Sequence, residues 1–74
     1  MSKRIYVGNV PGSVTQRELT KNFSKFGSVE SVNLERGSAV VVMSSGGDTA
    51  IKALDQTEMG GRRLRVGLVA PRRD

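Results

Sequence analysis

Cysteine, histidine and tryptophan are absent from these 74 residues, and the aromatic set is one tyrosine and two phenylalanines. No disulfide or thiolate nucleophile can form. Without histidine the chain also lacks most zinc sites and the commonest general base, which leaves few routes to catalysis. The longest apolar run, Ala39 to Met43, is far short of the roughly 20 residues of a membrane span, and no apolar signal-peptide core follows the first residues. A chain this short buries only about 60% of the surface its unfolded form exposes, so one compact domain is expected, with little core to spare for a deep cavity.

What is present is basic charge. Twelve Lys and Arg oppose seven Asp and Glu, for a formal charge of +5. Lys3 and Arg4 open the chain, Arg62, Arg63 and Arg65 crowd one segment, and Arg72 and Arg73 close it. Local positive charge favours a polyanion, either nucleic acid or an anionic membrane surface, while a merely solvated face fits the same counts.

The apolar pattern predicts β-α-β-β-α-β. Ile5 to Val10 reads as a strand closed by Pro11-Gly12. Thr15 and Glu18 have capping-box spacing, with Val14 and Leu19 at staple positions, so a helix over 16–26 follows. Leu19, Phe23 and Phe26 form its inner stripe, and Gly27 is placed to end it as a left-handed cap. Val32 and Leu34, a turn at Arg36-Gly37 and the run Ser38 to Met43 predict a hairpin. Ser45 and Asp48 have the spacing of N-cap and N3 for a second helix carrying Ala50, Ala53 and Leu54, which Met59-Gly60-Gly61 would break. Leu64, Val66 and Leu68 then alternate with Arg63, Arg65 and Gly67 as a last strand before Pro71. This order is that of the α+β, ferredoxin-like split βαβ fold, a four-stranded antiparallel sheet with two helices on one face. A single domain with its core over about residues 4–70 and a basic tail at 71–74 is expected.

Strand side chains alternate. If Ile5, Val7, Val32, Leu34, Ala39, Val41, Met43, Leu64, Val66 and Leu68 face the helices, the open face carries Arg4, Tyr6, Gly8, Ser31, Asn33, Glu35, Ser38, Val40, Val42, Arg63 and Arg65. Neighbouring exposed valines are unusual on a solvated face, which implies that something covers it.

The hexamer Ile5-Tyr6-Val7-Gly8-Asn9-Val10 matches at every position the pattern apolar-aromatic-apolar-x-Asn-apolar, and so resembles the signature of RNA recognition motif domains. A second, octamer signature, K/R-G-F/Y-G/A-F-V-x-F/Y, is matched by Arg36, Gly37, Ala39 and Val41. It is broken by Ser38 and Val40 at the two stacking positions and by Met43 at the last. Phe26-Gly27, Ala50, Ala53 and Gly61-Arg62-x-Leu64-x-Val66 extend the resemblance over nearly the whole chain.

The resemblance implies binding of single-stranded RNA on the open face, with no cofactor, no metal and no membrane contact, in an intracellular setting of RNA metabolism. Tyr6 would be the stacking ring, and Asn9 occupies the hexamer asparagine position. Arg4, Arg36, Arg63 and Arg65 would meet phosphates, with Arg72 and Arg73 closing over the strand from the tail. Ser38, Asn33, Val40 and Val42 would touch bases or sugars. Loss of the octamer aromatics leaves a rival reading, a protein partner or homodimer docked on Val40 and Val42. The variant that grips a tryptophan-bearing peptide through an Arg-x-Phe motif is disfavoured by Arg62-Arg63-Leu64 and by a first helix with Glu18 as its one acid. Catalysis is not expected. Gly8-Asn9-Val10-Pro11-Gly12-Ser13 lacks the lysine of a phosphate-binding P-loop, and no arginine-asparagine phosphate pocket of the acylphosphatase type is found.

Overall fold

A computed structural model describes residues 2–69. The elements run β1 (Lys3–Gly8), α1 (Gln16–Ser24), β2 (Val29–Glu35), β3 (Ser38–Met43), α2 (Gly47–Leu54), β4 (Glu58–Met59), β5 (Arg62–Arg63) and β6 (Arg65–Leu68). The main sheet is antiparallel in the order β2-β3-β1-β6, and β4 and β5 form a separate small hairpin. This is the α+β ferredoxin-like arrangement. The valine-rich β3 and the β-branched β1 hold the centre of the sheet, where half-buried strands favour such residues.

The core lies between sheet and helices. Ile5, Val7, Val41 and Met43 from the sheet meet Leu19 and Phe23 of α1 and Ala50 of α2, all at 0 or 1% exposure. Helix α1 starts on the expected capping box. The Glu18 N–H donates to Thr15 Oγ1 at 3.2 Å while the Thr15 N–H donates to Glu18 Oε1 at 3.2 Å. No described helix is long and apolar enough to cross a membrane.

Several sequence expectations are corrected. Strand β1 spans Lys3–Gly8, because Asn9 takes a left-handed φ of 60° that ends the pleat. Helix α1 stops at Ser24 with Lys25 in right-handed geometry as its C-cap, so Gly27 is no left-handed cap. Gly27 instead lies backbone to backbone with the start of α2, where an added Cβ would land on the Ser45 carbonyl and come within 2.9 Å of Gly46 Cα. Ser45 does not cap α2. Its hydroxyl accepts the Ser28 N–H at 3.1 Å, and Gly46, at φ 74°, is the N-cap residue. Asp48 turns to Lys3, the one ion pair among the described residues, with Oδ2 to Nζ 2.7 Å. The Lys3 hydrogen bond and charge hold the Asp48 carboxyl below its ordinary value of 3.8.

Helix α2 ends at Leu54, before the glycines, in a turn with φ −61° and ψ 130° at Asp55 and φ 66° at Gln56. The Thr57 N–H donates to the Leu54 carbonyl at 3.1 Å, which makes this a type II turn. The last strand is also shorter than expected, because residues 58–63 form the small hairpin first. Leu68 is 53% exposed: it pairs with Ile5 but lies at the outer end of an edge strand.

Candidate nucleic-acid interface

The strand register lays out the open face as a grid. Across its middle run Asn33, Val40, Tyr6 and Gly67 from β2, β3, β1 and β6. One flanking row joins Ser31, Val42 and Arg4, and the other joins Glu35, Ser38, Gly8 and Arg65. Tyr6 is 47% exposed at the centre, Val40 and Val42 are half-buried beside it, and Arg4 and Arg65 stand exposed at opposite ends.

The tyrosine ring has a defined resting place. A Cβ added at Gly8 would lie 2.8 Å from Tyr6 Cε2 and 3.1 Å from its hydroxyl oxygen, so the ring leans along β1 over Gly8. Gly8 is buried for that reason, although its row faces out. The ring is supported from below by backbone and offers its other side to solvent, the posture a stacking platform needs.

Basic groups gather at the end toward which the ring leans. Gly8 pairs with both Ser38 and Arg65, and the two-residue turn Arg36-Gly37 is tied to the same end by the Val10 N–H, which donates to the Gly37 carbonyl at 3.1 Å. Asn9 works inside the chain. Its amide nitrogen donates to the Arg63 carbonyl at 2.8 Å, and its Oδ1 accepts from Arg62 at 3.3 Å, which fastens β5 to the end of β1. Arg63, placed by sequence on the last strand beside Arg65, sits in the small hairpin, and the Asn9 bond brings it to the rim of the face. Arg72 and Arg73 lie outside the described residues.

Beside Tyr6 a groove of about 670 Å³ follows the β6 edge, lined by Tyr6, Asn9, Asp55, Gln56, Arg63 and Arg65 among others. Nothing in the apolar periodicity marks a helix end at Leu54, so the sequence alone does not point to Asp55 and Gln56. Asp55 Oδ1 accepts the Val66 N–H at 3.0 Å, which occupies a backbone group on the free edge of the sheet. No group of three or more acidic, His or Cys residues that could hold a metal occurs among the described residues.

A family model described as RNA recognition motif matches residues 5–65. RbpE of Nostoc sp. (strain PCC 7120), named as a candidate RNA-binding protein, is 46% identical over 80 aligned residues, covering 95% of this chain and 81% of RbpE. The crystal structure of RNA-binding protein PG1 superposes with a TM-score of 0.88 at 29% identity, over 97% of this chain and 99% of that one. A Sex-lethal protein/RNA complex superposes at 0.86 and 25% identity, over the whole of this chain and 50% of that one.

Proposed function

Since this chain belongs to the RNA recognition motif family, we propose that it binds RNA as a single strand laid across the open face, with one base stacked on Tyr6. The observation that carries the reading is the Tyr6 ring, half exposed at the centre of the face and seated on Gly8. Arg4 at one end and Arg36, Arg63 and Arg65 at the other would meet phosphates on either side of that base, and Arg72 and Arg73 could add to this from the tail. Val40, Val42, Asn33 and Ser38 would contact bases and sugars. The kinship with RbpE and the Sex-lethal/RNA complex supports RNA as the partner. The role is one of binding without catalysis.

With one ring where the family pattern allows three, stacking is concentrated on Tyr6. A stacked base is worth about 1–3 kcal/mol by alanine substitution. Tyr6→Ala should therefore weaken binding of short single-stranded RNA about 5- to 150-fold, as read by fluorescence anisotropy against a duplex control, with an unchanged circular dichroism spectrum. Unaltered affinity would remove the stacking claim. The half-buried Val40 and Val42 favour one rival, docking of a protein or a second copy on this face. That reading predicts no binding of RNA at low salt and, for self-association, a concentration-dependent dimer in light scattering that RNA does not dissolve.

A further inference from the structure

Two residues other than glycine hold a left-handed φ in the described chain, Asn9 at 60° and Gln56 at 66°. Asn9 is accounted for. Asparagine tolerates that region, and its side chain bonds both Arg63 and Arg62. Gln56 has no such explanation. It occupies the third position of the type II turn Leu54–Thr57, where glycine is strongly favoured. Its contribution to the fold is made by its backbone, the N–H donating to the Leu64 carbonyl at 2.8 Å. Glycine would make that bond equally well. The Gln56 side chain is exposed and makes no hydrogen bond among the described residues, and it lines the groove beside the Tyr6 ring. Strained backbone carrying a side chain that the fold does not use points to a use outside the fold.

We propose that Gln56 reads the base held at Tyr6, by placing its carboxamide at the rim of the groove to hydrogen-bond that base's edge. This rests on the single-strand reading above. A carboxamide offers a donor and an acceptor side by side, the pairing that glutamine makes with the adjacent amino group and ring nitrogen of adenine. Uracil also sets a donor, its N3–H, beside a carbonyl, so the carboxamide alone does not separate the two bases and Asp55 supplies the bias. One of its oxygens holds the Val66 N–H, and the other is a further acceptor in the same groove, suited to an exocyclic amino group and unsuited to the carbonyls of uracil. An exocyclic amino group carries two N–H donors, one for the Gln56 oxygen and one for the free Asp55 oxygen, whereas uracil has a single N3–H, so the groove selects amino-bearing bases such as adenine over uracil.

Gln56→Gly separates the two roles of the position, since it relaxes the turn and removes the side chain with its carboxamide while keeping the backbone N–H that bonds Leu64. The experiment titrates wild type and Gln56→Gly with short oligo(A), oligo(C), oligo(G) and oligo(U), and melts both proteins. Wild type should prefer oligo(A) to oligo(U) by about three- to tenfold, the usual worth of one or two net hydrogen bonds. In Gln56→Gly that ratio should collapse toward one, while oligo(U) still binds and the Tm holds or rises. An equal A-to-U ratio in wild type, an unchanged ratio in the variant, or a fall in the variant's Tm would each overturn the proposal. Failure of wild type to bind any of the four would instead overturn the single-strand reading on which it rests.

Discussion

Tyr6 and Gly8 act as one unit, because the glycine's missing side chain is what lets the ring lie against the sheet. Adding a methyl group at Gly8 places it 2.8 Å from the ring edge, closer than real contacts allow, and the atom it meets is the movable end of a side chain. The ring would lift and the backbone would stay. Gly8→Ala should thus cost less than about 1 kcal/mol of stability, in the range of substitutions that meet only a movable neighbour, yet weaken RNA binding severalfold. The chain has one tyrosine and no tryptophan, so intrinsic tyrosine fluorescence reports on this ring alone. RNA should quench it in wild type and quench it less in Gly8→Ala. Equal quenching and equal affinity would show that the ring's seat is unimportant. The outward direction of Tyr6 is legible from strand alternation, whereas its lean over Gly8 is not, since alternation fixes a face and not a rotamer.

Between elements, the junction of α1 and α2 is set by backbone contact. Gly27 and Gly46 face one another, and a Cβ at Gly46 would land on the Phe26 carbonyl much as one at Gly27 would land on that of Ser45. Neither neighbour is a side chain that can rotate away. Gly27→Ala should cost about 2–3 kcal/mol, the scale of overpacking a rigid contact, measurable as a lower urea midpoint. A loss below about 0.5 kcal/mol, the usual size of an inconsequential surface change, would mean that the junction yields. Local signals predicted the elements well where chemistry and structure were both local. Thr15 and Glu18 are three residues apart, and their capping box formed as read. The misread ends depended on distant partners. Ser45 is drawn to Ser28, Asp48 to Lys3, and Asn9 to the hairpin 54 residues away. The same limit hid the groove, because Asp55 acquires its place from Val66 and Gln56 its backbone bond from Leu64.

For the molecule as a whole, the question is whether its +5 charge acts as a diffuse field or as placed contacts. The fold separates the two. Arg4 and Arg65 belong to the open face, while Arg17, Lys21 and Lys25 are exposed on and just beyond α1, on the other side of the sheet. A diffuse field would treat these two groups alike, since both sit on one small body. Placed contacts would not, because counterions are released only where a cation neutralises a phosphate, and each such phosphate on a single strand adds about 0.7 to the slope of log affinity against log salt. Arg4→Gln and Arg65→Gln should each flatten that slope by about 0.7, and Lys21→Gln should leave it unchanged. The check is anisotropy across a salt series with one RNA throughout. If Lys21→Gln flattened the slope as much as Arg65→Gln, the strand would have to run over the helices as well, and the open face would not be the whole of the interface.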